Sequence, residues 1–263
     1  VRHQLLGVRL ATFNVNGIAA RLAGLLQWLE EAKPDVVALQ EIKCEDARFP
    51  RDAFEARGWH VETHGQKGFN GVALLSRLPL GELSRGLPGD PEDEQARFIE
   101  ASIGGLRIAN LYLPNGNPQP GPKFAYKLAW MQRLERHARD LLATEQAVVL
   151  LGDWNVCPTD ADVARPAEMA DDALCRPESR AAFRRILVQG WTDAIRARFL
   201  NETVYTYWDY QAGAWAKNWG LRIDHLLLSP AAADRMLDAG IDRDVRARDK
   251  ASDHVPVWVD LAD

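Results

Sequence analysis

From Ala147 to Pro158 the chain reads A-V-V-L-L-G-D-W-N-V-C-P. Asp153 and Asn155 stand two residues apart, with Trp154 between them. Side chains alternate in an extended segment, so the carboxylate and the amide face one way and the indole the other. Asp and Asn are also common in turns, and this stretch alone would suit a strand that simply ends. The pattern recurs, however. Asn14 follows L-A-T-F, Glu41 follows V-V-A-L-Q, and Tyr112 and Asn115 follow I-A-N-L. Asp224 and His225 precede L-L-L, while Asp253 and His254 precede V-P-V-W-V. Polar groups repeatedly placed at the ends of buried runs suggest one shared edge, where open α/β sheets carry their active groups.

The chemistry these residue types suit is metal-assisted phosphoester cleavage. Glu41 with a second acidic group would hold Mg²⁺, a hard cation that prefers oxygen ligands, and Mn²⁺ would substitute. Asp153 would take a proton from the attacking water. His254, beside a carboxylate such as Asp224 or Asp253, would stay protonated and pair with a phosphate oxygen. Asn155, Asn115 and Tyr112 would donate hydrogen bonds to the charge that builds on phosphorus. The Cys and His residues lack zinc-type spacing.

The elements that must position these groups are legible in outline. Residues 8–15 alternate as a strand, and Leu22, Leu25, Leu26 and Leu29 recur at helical spacing until Pro34. Residues 36–39, 59–63 and 72–75 read as strands, with the loop G-Q-K-G-F-N-G before the last. Residues 77–93 read as a connection, and 98–102 with 106–111 as a hairpin across Gly104-Gly105. Residues 114–122, with four prolines and two glycines, form a loop ahead of a long amphipathic helix over 123–143. Residues 148–151 are a fully buried strand. Beyond the acidic 159–177 segment come a helix over 179–188, an aromatic-rich stretch over 205–219, and strands at 223–228 and 255–259.

The 263 residues suit one α/β domain over 1–263, and 47% hydrophobic residues suffice for a large core. Cys44, Cys157 and Cys175 are sparse and odd in number, which fits a reducing compartment. The N-terminus lacks the apolar core of a signal peptide and no run reaches membrane-spanning length, so a cytoplasmic location is expected. A net charge of −5 weakens a nucleic-acid reading without excluding it. Local cations and a bound divalent ion can offer positive potential to phosphate while the far side stays acidic.

Taken together, F-N-V-N-G (13–17), L-Q-E-I-K (39–43), N-G-V-A-L-L-S-R (70–77), L-Y-L-P-N-G (111–116), G-D-W-N-V-C-P-T-D-A-D (152–162), G-L-R-I-D-H-L-L-L-S (220–229) and S-D-H-V-P-V (252–257) resemble the exonuclease III family, in that family's order. That family, within the endonuclease/exonuclease/phosphatase superfamily, contains AP endonucleases and 3′→5′ exonucleases. The resemblance implies a DNase I-like four-layer α/β sandwich, with two packed mixed β-sheets flanked by helices. It implies a monomer acting on double-stranded DNA at abasic sites or 3′ ends, with no membrane. Asn14 and Glu41 match the family's metal positions, and Asp253 an acidic position near the metal. Tyr112, Asp153 and Asn155 match positions around the scissile phosphate, and Asp224 and His254 the carboxylate–histidine pair.

Tyr207, Leu221 and Ile223, with Trp208 adjacent, match a hydrophobic pocket for the base-less sugar. Leu221 is smaller than the tryptophan of some relatives, which implies a roomier pocket. Asn16 stands where some relatives carry Asp, and Asn117 where some animal relatives insert an arginine into DNA. Trp215 and Trp219 suit either core packing or DNA contact. Candidate DNA contacts are Lys67 and Asn70 in the glycine-rich loop, Asn115, Lys123, Lys127, Lys217 and Arg222. Two other readings stand beside this one: a superfamily phosphoesterase acting on phosphoinositide or sphingomyelin head groups, and an inactive DNA-binding module. Glu41, Asp153, Asn155 and His254 are all present, which disfavours the second.

Overall fold

The computed structural model describes residues 7–263. Val1 and the five residues after it, on which the expectation of a leaderless start rests, lie outside the described residues. The strands are β1 (Gly7–Asn14), β2 (Val36–Gln40), β3 (His60–His64), β4 (Val72–Ser76), β5 (Gly81–Arg85), β6 (Phe98–Ile103), β7 (Leu106–Tyr112), β8 (Val148–Asp153), β9 (Thr192–Asp193), β10 (Tyr207–Trp208), β11 (Gly220–Leu221), β12 (Asp224–Leu228), β13 (Met236–Ile241) and β14 (Val257–Ala262). The helices are α1 (Ile18–Ala32), α2 (Arg51–Glu55), α3 (Pro122–Ala143), α4 (Pro166–Met169), α5 (Pro177–Leu187), α6 (Ala194–Arg198) and α7 (Pro230–Ala233).

Two six-stranded mixed sheets pack face to face, in the orders β13-β14-β1-β2-β4-β3 and β5-β6-β7-β8-β12-β9, and β10 and β11 form a separate ribbon. The alternation of buried residues builds the layers. Leu10, Val36, Ala38, Val149, Leu151 and Leu226 meet between the sheets. Ala11, Phe13, Val37 and Leu39 face outward onto Leu25, Trp28 and Leu29 of α1. Val148 and Leu150 face outward onto Trp130, Met131 and Leu134 of α3 and Phe183 and Ile186 of α5. Central strands covered on both faces must be apolar throughout, which is why β2, β4 and β8 read as unbroken runs. The result is the four-layer sandwich, helix on sheet on sheet on helix.

Two segments differ from expectation. Residues 77–93 hold β5, an edge strand whose burial is slight, so its sequence carries no apolar alternation. M-L-D-A-G-I forms β13, likewise at an edge and interrupted by a register shift between Met236 and Asp238. Among the described residues no helix is long and apolar enough to cross a membrane.

Candidate active site

Strand direction brings the polar ends together. β1 and β2 run parallel, with Asn14 beside Gln40, so Asn14 and Glu41 leave their sheet side by side. β7 and β8 are parallel in the other sheet, with Tyr112 beside Asp153. β12 is antiparallel to β8 and starts where β8 ends, pairing Asp224 with Asp153. β14 is antiparallel to β1, so Asp253 and His254, just before it, arrive at the same edge. Gly152 permits the close approach of β7 and β8: a Cβ there would sit 1.9 Å from the Leu111 carbonyl oxygen.

Asp153 is buried and accepts from Asn14 Nδ2 at 2.9 Å and from the Asn155 backbone N–H at 3.0 Å. His254 Nδ1 donates to Asp224 Oδ2 at 2.8 Å, while its Nε2 stands 3.5 Å from Asp153 Oδ2. Burial opposes charge on His254, but Asp224 and Asp153 overcome it and hold the imidazole well above its ordinary pKa. Burial pushes the Asp153 carboxyl up to about 7; Asp224 and Glu41 add to this, against the pull of His254 and the Asn14 amide. Such a value suits a general base.

Glu41 adopts φ 51°, the left-handed region, as do Asn16, Asn70 and Asn155. A glutamate there is uncommon and marks a backbone held by its surroundings. Glu41 Oε1 accepts the Tyr112 hydroxyl at 2.7 Å. In this structure the tyrosine's single proton is held by Glu41. Burial, with Glu41 and Asp153 nearby, raises the phenol well above its usual value and keeps it protonated. Asn155 spends one amide N–H on the Leu113 carbonyl at 2.8 Å and keeps the other. Trp154 turns away, as alternation requires, and packs edge-on against Phe183 with ring centroids 5.5 Å apart.

Glu41, Tyr112, Asn115, Asp153, Asn155, Asp253 and His254 open into one cleft of about 570 Å³. Tyr207, Leu221 and Ile223 line it, joined by Val163, Met169 and Leu174, which the sequence reading did not single out. Their signal was weak: they lie in a segment of mixed, acidic composition. Tyr207 also stacks edge-on against His254, centroids 5.0 Å apart. A second cleft of about 400 Å³ shares Asn115 and is lined by Asn70, Arg97, Lys123 and Tyr126. Lys67 and Lys217 are exposed.

Three expectations are corrected. Lys127 is fully buried; its Nζ donates to the Asn155 carbonyl at 2.6 Å and the Asn115 carbonyl at 2.9 Å, so it braces two loops and cannot meet DNA. Arg222 is buried between Asp162 and Asp193, at 2.7 and 2.8 Å, and is likewise closed to DNA. Trp208 is fully buried behind the cleft, packed against Trp215. Asn117 is turned inward, donating to Asp172 and accepting from the Ala173 N–H. Of the two remaining tryptophans, Trp219 lines the cleft and Trp215 packs over Trp208.

Hydroxyls beneath the site escaped the sequence reading. Ser252 Oγ donates to the Asn14 carbonyl at 2.7 Å and accepts from the His254 N–H at 3.2 Å. Thr206 Oγ1 accepts from the backbone N–H groups of Ile223 and Asp224. Gln40 and Asn110 tie the two sheets together at 2.9 Å. The Ser252 signal was present in S-D-H, two residues ahead of the histidine.

The donor set fits a hard divalent cation. Glu41 Oε2 takes no hydrogen bond among the described residues, and Asn14 Oδ1 accepts only the Asn16 N–H at 2.9 Å, leaving a lone pair. Oxygen groups dominate, and no thiol lines the cleft. Ligand atoms of Asp153, Asp224 and His254 also lie within 4.8 Å of one another, but they are already bonded to each other and to Asn14.

A two-sheet sandwich with this acidic edge defines a class. The profile of the Endonuclease/Exonuclease/phosphatase family matches residues 11–254, and the chain belongs to that family. Its relatives narrow this to the exonuclease III family. The chain is 37% identical to exodeoxyribonuclease III of Haemophilus influenzae, over 97% of this chain and 100% of that protein. A solved 3′-5′ exonuclease of Neisseria meningitidis superposes with a TM-score of 0.95 at 37% identity, covering 97% of this chain and 100% of that one. An AP endonuclease from Archaeoglobus fulgidus gives 0.92 at 37%, covering 97% and 99%.

Proposed function

We propose that this protein is a Mg²⁺-dependent DNA repair phosphodiesterase. It cuts the backbone 5′ to abasic sites, leaving a 3′-hydroxyl, and trims 3′ ends. The observation that carries the reading is the juxtaposition of the Asp153–His254–Asp224 cluster with an apolar-walled cleft. A phosphate at the cluster would leave its sugar against Tyr207, Leu221 and Ile223. The names of the relatives, an exodeoxyribonuclease III and an AP endonuclease, support a DNA substrate.

Glu41, Asn14 and Asp253 would hold the cation, with Mn²⁺ able to replace Mg²⁺. When bound, it supplies positive charge to the phosphate and favours ionisation of a nearby water. Asp153 accepts the proton of the attacking water. His254 presents a charged Nε2 to the phosphate while Asp224 holds its other nitrogen. Asn155 directs its free N–H to the oxyanion, and Tyr112 fixes Glu41. Asn70, Arg97, Asn115 and Lys123 in the second cleft form the track for the flanking backbone. One domain over residues 1–263, acting as a monomer in the cytoplasm, completes the reading.

A cleavage assay in Mg²⁺, comparing an abasic duplex with an intact 3′-recessed duplex, tests it. Incision at the abasic site that stops in EDTA is the expected result. Absence of cleavage of either DNA, with turnover of a phosphoinositide, would overturn it.

A further inference from the structure

Beyond the sugar pocket, the same cleft wall continues. Residues 163–165 run beside 219–221: Val163 bridges Leu221, and the Ala164 N–H donates to the Gly220 carbonyl at 3.0 Å. Ile223, Leu221 and Trp219 fall at every second position and all face the cleft, whereas Arg222 turns back into its ion pairs. An extended segment rises about 3.3 Å per residue, so this row reaches on the order of 13 Å from Ile223 to Trp219. A base-less sugar beside Ile223 and Leu221 leaves the Trp219 end unfilled.

That end is built of planar groups. The Arg165 guanidinium lies 3.9 Å from the Trp219 ring centroid, and Arg165 and Trp219 both line the cleft. Glu168 holds the guanidinium from its edge. Lys217 Nζ, 4.1 Å from the same centroid, adds a second cation to the indole. Gln211 supplies an amide to the same wall. Stacked arginine and aromatic planes are the surfaces on which unstacked nucleobases settle.

We propose that Arg165 and Trp219 form a nucleobase subsite, so that the cleft accepts a nucleotide still carrying its base, as at a 3′ terminus. The proposal rests on reading the site as a DNA phosphodiesterase. Trp219 then discriminates between substrates that share one catalytic centre. A base stacks on the outer face of the Arg165 guanidinium, which the Trp219 ring backs from the other side, while its phosphate lies at His254, and a base-less sugar makes no use of that plane.

The test compares single-turnover cleavage of two DNAs in Mg²⁺: a 3′-recessed duplex ending in a mismatched normal nucleotide, and a duplex with a tetrahydrofuran abasic analogue. Trp219→Ala and Arg165→Ala are each set against wild type, with thermal melts to verify folding. Cleavage of the base-bearing end is expected to fall about tenfold or more, the size of one lost base–aromatic stack, with Trp219→Phe restoring most of it. Cleavage at the analogue stays within about twofold. Equal losses on both DNAs, or none on either, would overturn the subsite. Failure of the wild type to cleave either DNA would remove the reading of the site itself, and the subsite with it.

Discussion

Each catalytic side chain here is defined by what holds it. Glu41 keeps one carboxylate oxygen on the Tyr112 hydroxyl and leaves the other without a hydrogen bond among the described residues. An oriented carboxylate with a spare oxygen suits a metal ligand better than a buried ion-pair partner. Glu41→Ala should therefore weaken Mn²⁺ binding by more than about 100-fold, the upper range for losing even an outer-shell partner. The melting temperature should move little, because Glu41 is only half-buried. A metal titration checks this, and unchanged affinity would remove Glu41 from the ligand set. The residue types at the site were legible because each sits at the end of an apolar run. Their bonding was not: nothing in L-Y-L-P-N says that the tyrosine proton goes to Glu41.

At the level of elements, the loops after β7 and β8 are joined by one lysine side chain. Lys127 reaches from α3 to the carbonyls of Asn115 and Asn155. Burial pulls its pKa from 10.5 down to about 7, although Asp172 and Asp153 resist. The unfolded chain keeps this proton up to about 10.4. Between pH 7 and 10 the unfolded state therefore binds the extra proton, and stability contributed by this residue rises with pH. Lys127→Met should lack that rise and lose stability overall, since the buried Asn155 carbonyl loses its donor, at about 1–3 kcal/mol. Urea melts of both proteins at pH 7 and pH 9.5 measure the difference; parallel pH dependence would contradict it. The sequence reading placed Lys127 on DNA because a lysine near the start of an amphipathic helix resembles a surface charge. Only the packing of α3 against the β8 loop shows that its position faces inward. Strands with both faces covered, such as β8, were plain in the sequence. The edge strands β5 and β13 were not, because half-exposed strands carry little apolar pattern.

For the whole molecule, a net charge of −5 must coexist with a polyanionic substrate. With Lys127 and Arg222 turned inward, the cations offered to the backbone among the described residues include Arg97 and Lys123 in the second cleft and exposed Lys67 and Lys217. A set this small predicts a measurable but moderate salt dependence: log Kd for duplex DNA should rise with log salt at a slope of about 3–5, near 0.9 per phosphate neutralised. Fluorescence anisotropy across a salt series gives the slope, and a flat response would contradict this track. The four-layer architecture was implied by the resemblance of the motifs alone; the apolar patterning pointed only to one α/β domain. The far cleft wall at Arg165 and Trp219 did not, because it depends on two segments some fifty residues apart meeting edge to edge.

The central claim is that Asp153 accepts the water's proton beside a charged His254. Single-turnover cleavage of an abasic duplex in Mg²⁺ by Asp153→Asn tests it most directly, since the amide keeps the size of the carboxylate and removes the base. The rate should fall by at least about 10²–10⁴-fold, with DNA affinity and melting temperature little changed. A folded Asp153→Asn protein that cleaves at the wild-type rate would contradict it.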